Sequence, residues 1–413
     1  MGESWRRTIY GSIPAVPTRS ILARGMPAER IVIVGAGPAG FSTARAYRGG
    51  GGGGAVTLVG VEPRLPYERP PLTKAFLRGE MDVAELTIEP EAWFDEHEVE
   101  LCLGRRTSAI DPQRGIVTLS DRELRADAIV LATGSEPVRP EVPGAGHPLV
   151  LTIRALPDSE RLAERVEPGQ RVVVVGSGFI GCEIAGSLAH LDVAVTLISQ
   201  ERLPQVERLG TEAAEEIASW LRDLGIELLG DAKVAAIHDG REVVLEDGRR
   251  IGGACVVLGA GVRPRGELAA EAGLATHDGA VIVDEAMRCG DGSGVVLAVG
   301  DVAYAYNTTA HRHLRVEHWG DAIGQGAVAG RTLAEQDGHW DEVPGFWSTI
   351  GEQTLKYAAW GDGHDHCRRV DRDGGGFAIW YTRDGVTVGV LTHDSDEDYE
   401  RGRELIAHGE PPP

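Results

Sequence analysis

The sequence predicts an α/β fold with two Rossmann-like dinucleotide-binding domains and a smaller C-terminal α+β domain. Three observations predict it. "RIVIVGAGPAG" at 30–40 and "RVVVVGSGFIG" at 171–181 each read as an apolar strand, a GxGxxG turn and the start of a helix. Beyond residue 346 the pattern changes to alternating strands, "FAIWYTR" and "VTVGVLTH", and a closing helix. The 413 residues are enough for two or three domains, and 42% hydrophobic content supplies more than one core.

Composition narrows the function classes. A formal charge of −22 makes nucleic acid or an anionic membrane a poor partner, and neither is expected. The five cysteines, Cys102, Cys182, Cys255, Cys289 and Cys367, form no CxxC or CxxxxC pair, which argues against a redox-active dithiol or a clustered zinc site. A reducing cytoplasm is the expected home. No apolar run approaches the ~18 residues of a membrane span. Prolines interrupt "SIPAVPTRS", so no signal peptide is expected, and residues 1–26 read as a flexible extension.

In the first unit the glycines fall at Gly35, Gly37 and Gly40. The first permits the tight turn, the second lets backbone approach a pyrophosphate, and the third packs helix on strand. The helix N-terminus then faces the phosphates. Six glycines at 49–54 read as a flexible connection to the strand "AVTLVG". An acid is expected about 20 residues past the turn, at the adenosine ribose hydroxyls. Glu62 stands there, with a solvent-facing loop glutamate as its alternative.

The second unit repeats the plan with Gly176, Gly178 and Gly181 around Phe179 and Ile180, then a helix and the strand "VAVTLIS". The two tails echo each other, "VTLVGVEPRLP" against "VTLISQERLP". This is a repeated nucleotide-binding unit, with a different occupant expected in each copy.

Between and after the units stand "IVLATGSEP" at 129–137 and "GVVLAVGDVA" at 294–303. Together the four motifs resemble the two-dinucleotide-domain flavoprotein reductases of the pyridine nucleotide-disulfide oxidoreductase superfamily. "YERPPLTKAFL", "VEHWGDAIGQGAVAG" and "VPGFWSTI" resemble signatures of its ferredoxin reductase and apoptosis-inducing factor-like branch. The segment "LPYERPPLTKAFLRGE" holds no cysteine, which removes thiol relay chemistry there.

The resemblance implies FAD in the first clamp and NAD(P)H in the second. FAD-binding segments would then be 27–150 and 269–345, with 151–268 binding NAD(P) and 346–413 forming an α+β interface domain over the flavin. Arg69 and Lys74 would lie along FAD, Thr107 would meet the adenine, and Thr133 and Gly134 would belong to the crossover. Arg154 would reach the cofactor and Asp301 would bond the ribityl chain. His318, Trp319 and Trp347 would border the isoalloxazine, with a core aromatic as the alternative for Trp347. Gly261 and Glu317 would face the nicotinamide nucleotide. Lys74 and Glu183 would pair beside flavin N5 as the catalytic residues; the alternative for Glu183 is a first-turn helix acid.

Where many relatives place an acid against a 2′-phosphate, this chain has Ser199 and Gln200, followed by Glu201 and Arg202. Both NADH and NADPH therefore stay open. The implied function is an FAD-dependent NAD(P)H reductase, monomer or homodimer. It would pass single electrons to a ferredoxin-type iron–sulfur protein serving an oxygenase or cytochrome P450. Two rivals stay open: a flavin dehydrogenase or oxidase with a small-molecule, quinone or oxygen acceptor, and a redox-sensing flavin–nicotinamide binding protein. "HDHC" at 364–367 reads as a polar turn with no metal expected, and "HDSDEDYERGREL" as a solvated helix start.

Overall fold

The computed structural model describes residues 28–290 and 295–413, apart from the Val295 side chain. The expected extension, residues 1–26, lies outside the described residues.

Apolar runs such as Ile31–Val34, at most 4% exposed, suit parallel strands covered on both faces. The first sheet is parallel throughout, in the order Val295–Ala298, Ala128–Leu131, Arg30–Val34, Ala55–Val59, Val99–Cys102. Its helix Pro38–Gly49 opens on a proline, whose missing N–H is no loss in a first turn. This helix lies against the helix Trp319–Leu333, where glycine lets two backbones meet. A Cβ on Gly326 would stand 2.3 Å from Ala39 O, and one on Gly330 2.5 Å from Thr43 O.

The second sheet is also parallel, in the order Glu227–Leu229, Ala194–Ile198, Arg171–Val175, Val256–Leu258, Val150–Leu151. In chain order its strands fall between Ala128–Leu131 and Val295–Ala298, which pair directly in the first sheet. Ser135–Pro137 and Val262–Pro264 pair antiparallel at the crossover. The third sheet is antiparallel, in the order Gly345–Ile350, Gln353–Ala359, Val386–His393, Phe377–Arg383, His366–Asp371. The helix Asp396–His408 covers one face through Leu405 and Ile406. The other face shares an apolar core with Ile184 and Leu188 of the second unit.

Three expectations change. The glycine run is fastened rather than loose: the Arg48 guanidinium donates to the carbonyls of Gly52, Gly54, His97 and Glu98. Gly54 N donates to the Tyr47 hydroxyl, and a Cβ on Gly52 would strike the Tyr47 ring at 2.2 Å. Of "HDHC", His366 and Cys367 lie in a strand. Among the described residues no group of three or more His, Cys, Asp or Glu could hold a metal ion. At the acidic helix start, Asp398 is 8% exposed and bonded to Arg372 at 2.7 and 2.8 Å. The Arg372 hydrogen bond holds its carboxyl below the usual range. Among the described residues no helix is long and apolar enough to cross a membrane.

Candidate active site

The two glycine turns have one geometry. Gly35 and Gly176 have φ of +124° and +106°, a region open to glycine. A Cβ on Gly40 or Gly181 would stand 2.0 Å from the carbonyl oxygen of Gly35 or Gly176, so helix and strand close only without one. The middle glycines differ in kind. Gly37 and Gly178 have ordinary φ values of −88° and −65°. A Cβ on Gly37 would meet nothing within 4 Å, and one on Gly178 nothing nearer than 3.9 Å. The protein itself does not require glycine there. What a side chain would fill is the space before a helix N-terminus that no side chain caps. A dinucleotide pyrophosphate needs that space and those N–H groups, and the residues present fit it.

Around the first cradle the expected residues form one chain of contacts. Glu62 accepts from the Tyr67 hydroxyl at 2.8 Å and from Arg69 Nη2 at 3.2 Å. Burial pushes the Tyr67 hydroxyl up to about 12, so it stays a donor. Arg69 Nη1 donates to Arg154 O at 2.6 Å, and Arg154 Nη2 pairs with Asp301 Oδ2 at 2.5 Å. Ser135 Oγ donates to the same Asp301 oxygen. Gly134, at φ +68°, offers a Cβ position 3.7 Å from Arg154 Nη2, and Thr133 Oγ1 donates to Arg265 O. Thr107 stands on a separate three-stranded sheet with Oγ1 buried and unbonded.

Glu317 Oε1 is also buried without a hydrogen bond, although Arg315 Nε lies 3.4 Å away. Burial pushes its carboxyl up against the pull of Arg315, and Asp301 adds to the rise. His318 precedes the helix that Trp319 opens, with Nδ1 3.3 Å from Asp321 Oδ2 and its ring 4.5 Å from Phe346. Trp347 is 44% exposed, which removes the core-aromatic alternative. Gly261, at φ +91°, accepts from Val138 N at the crossover.

Lys74 and Glu183 meet: Nζ lies 2.6 Å from Oε2. The carboxylate is 6% exposed and has two further donors, Thr73 Oγ1 at 2.6 Å and Ser348 Oγ at 2.7 Å. A buried charge is tolerable only when paired and hydrogen-bonded, and both oxygens here are. The group joins the 3₁₀ turn Pro70–Thr73, the helix Phe179–His190 and the strand Gly345–Ile350. Sequence reasoning missed Thr73 and Ser348; their only signal was a place beside Lys74 and Trp347.

At the second cradle Phe179 stacks edge-on against Phe346 at 4.7 Å, and Ile180 is 36% exposed. Arg208 faces both Phe179 and Phe346. Ser199 turns inward: it is buried, its Oγ lies 2.7 Å from Ser177 Oγ, and it accepts from Glu201 N. Gln200 and Arg202 are the exposed side chains at the mouth of this strand.

A family model described as pyridine nucleotide-disulphide oxidoreductase matches residues 29–326. The chain is 33% identical over 384 residues to rhodocoxin reductase of Rhodococcus erythropolis, covering 91% of this chain and 89% of that protein. It is 32% identical over 390 residues to the ferredoxin reductase component of chlorobenzene dioxygenase from Cupriavidus sp. (strain PS12), covering 92% of each. Among solved structures, the ferredoxin reductase for the CYP199A2 system from Rhodopseudomonas palustris matches with a TM-score of 0.87 and 29% identity, over 93% of this chain and 96% of that one. A chain of the covalent putidaredoxin reductase–putidaredoxin complex matches at 0.87 and 28%, over 93% and 94%. The chain belongs to the pyridine nucleotide-disulphide oxidoreductase family, in its ferredoxin reductase branch, whose cofactors are FAD and NAD(P)H.

Proposed function

We propose that this protein is a cytoplasmic FAD-containing NAD(P)H reductase that passes single electrons to a ferredoxin-type iron–sulfur protein serving an oxygenase or cytochrome P450. The observation that carries the reading is the buried Lys74–Glu183 pair, 2.6 Å long, set where both dinucleotide units and the third sheet converge. The names of the relatives support the choice of acceptor. Bound FAD supplies the chemistry, taking electrons in a pair from a nicotinamide and releasing them singly.

The chain's own residues bind, orient and bias. The N-terminal cradle, with Asp301 and Glu62 as acceptors for hydroxyls, holds FAD between segments 27–150 and 269–345. The second cradle, within 151–268, holds the nicotinamide nucleotide, and segment 346–413 covers the flavin. The Lys74 ammonium favours negative charge gathering beside it, by about 4 kcal/mol at 4 Å and an effective dielectric near 20. Glu183 keeps the long lysine chain in place, with Thr73 and Ser348 holding the carboxylate in turn. Cytochrome c reduction from NAD(P)H, with and without added ferredoxins, tests the proposal. Stimulation by a ferredoxin that falls with salt is expected. Fast turnover on a quinone or oxygen with no ferredoxin effect would overturn it.

A further inference from the structure

Gln205 immediately precedes the helix Val206–Asp223, with φ 63° and ψ 15°. This left-handed conformation is disfavoured for a residue with a Cβ, and it persists where the surroundings hold it. Gln205 is 7% exposed, and its carbonyl accepts from the N–H groups of Arg208 and Leu209. Its side-chain amide, in contrast, has no hydrogen-bond partner among the described residues. The amide is aimed at the second cradle: Nε2 lies 4.0 Å from where a Cβ on Gly178 would stand, and Gly259 O at 3.9 Å is the one atom nearer.

An amide on a side chain this buried that makes no hydrogen bond among the described residues is free to serve a ligand. The first unit shows how such a position is otherwise settled. Aligning "PRLP" with "ERLP" puts Tyr67 opposite Gln205. The Tyr67 hydroxyl is bonded on both sides, donating to Glu62 and accepting from Leu156 N. Gln205 has neither kind of partner, and its Nε2 lies beside the Cβ position of Gly178, which precedes the helix Phe179–His190 and gives it no side-chain cap. One turn further on, Arg208 sits over the rings of Phe179, Phe346 and Tyr357 at 5.6–5.9 Å, adding positive charge on the same side.

We infer that Gln205 is a binding residue for the nicotinamide dinucleotide, donating its amide N–H to the pyrophosphate oxygens. The inference rests on the reading of the second cradle as the nicotinamide dinucleotide site. The backbone strain serves that purpose, because it turns a residue at the helix entrance back toward the phosphates.

Calorimetric titration of the FAD-loaded protein with NAD⁺ and NADP⁺, alongside melting temperature, tests it. Gln205→Gly relieves the strain, so it should melt no lower than the parent. It should nevertheless bind the nucleotide about tenfold more weakly, as expected for losing a hydrogen bond to a charged group, with the flavin spectrum unchanged. Gln205→Asn tolerates the left-handed backbone but is a methylene shorter, and should fall between the two. A Gln205→Gly protein whose dissociation constant stays within twofold of the parent overturns the inference. So does weak binding that appears only with a lowered melting temperature while Gln205→Asn melts and binds as the parent. A parent that binds neither nucleotide overturns the reading of the second cradle, and the proposed function with it.

Discussion

The strand–turn–helix units at 30–59 and 171–198 have the same backbone and different neighbours. Arg30–Val34 runs in register with Ala55–Val59 as Arg171–Val175 does with Ala194–Ile198. The third glycine meets the carbonyl of the first at 2.0 Å in both. Yet the helix Pro38–Gly49 is pressed against another helix along glycines, whereas the helix Phe179–His190 faces the third sheet. Gly186 is where it touches: a Cβ there would stand 2.7 Å from Gly351 N. At the strand mouth the first unit presents Glu62 tied to Tyr67 and Arg69, and the second presents a buried Ser199 and an exposed Gln200. The glycine motif therefore builds a phosphate cradle, and side chains outside the motif decide what lies in it and what is done to it.

The sharpest way to break this comparison is to fill each cradle in turn. Because neither middle glycine is needed by the fold, Gly37→Val and Gly178→Val should both fold. Each should weaken its own ligand by tenfold or more, since a clash in packed space costs about 1–3 kcal/mol. Gly37→Val should lose the yellow FAD colour, whereas Gly178→Val should keep it and resist bleaching by NAD(P)H. The reverse pattern in absorbance and stopped-flow traces would mean the occupants are exchanged.

A smaller effect on cofactor binding is expected at the pair joining the units. Lys74→Met leaves Glu183 buried without its cation, a change worth about 3–5 kcal/mol, and should slow flavin bleaching strongly with FAD still bound. Glu183→Gln should slow it less, because the lysine keeps its charge. The double variant should be less impaired than the two effects combined. Strictly additive rates in stopped flow would separate the two residues functionally.

The smallest effect belongs to nucleotide choice. Ser199 faces Ser177, so an acid there would be buried; the exposed Gln200 is the place to act. Gln200→Glu should shift the NADPH-to-NADH ratio of kcat/KM toward NADH by a few-fold, about 1 kcal/mol for an exposed charge, and less at high salt. An unmoved ratio would place the 2′-position elsewhere.

Both cradles and two C-terminal strands were legible in the sequence because local pattern determines them, whereas the crossover came from the family resemblance. "FAIWYTR" and "VTVGVLTH" coincide with the strands Phe377–Arg383 and Val386–His393. The Lys74–Glu183 contact came from a family resemblance and not from periodicity. What stayed hidden depends on contacts distant in sequence. Thr73 and Ser348 reach Glu183 across separations of 110 and 165 residues. The six glycines look loose in one dimension, and only the carbonyls of Gly52 and Gly54 gathered around Arg48 show otherwise. Likewise Asp398 reads as one more surface acid until Arg372 is placed against it.

The insertion of one sheet into another also sets an order of events during synthesis. Ala128–Leu131 pairs with Val295–Ala298, and all five strands of the second sheet lie between them in the chain. As the nascent polypeptide leaves the ribosome, the middle sheet has every strand available before the first sheet receives its last. The N-terminal Rossmann unit, begun first, is thus finished second. Until residue 298 emerges it carries Ala128–Leu131 as an open hydrophobic edge, the kind of edge that chaperones guard and that other chains can capture.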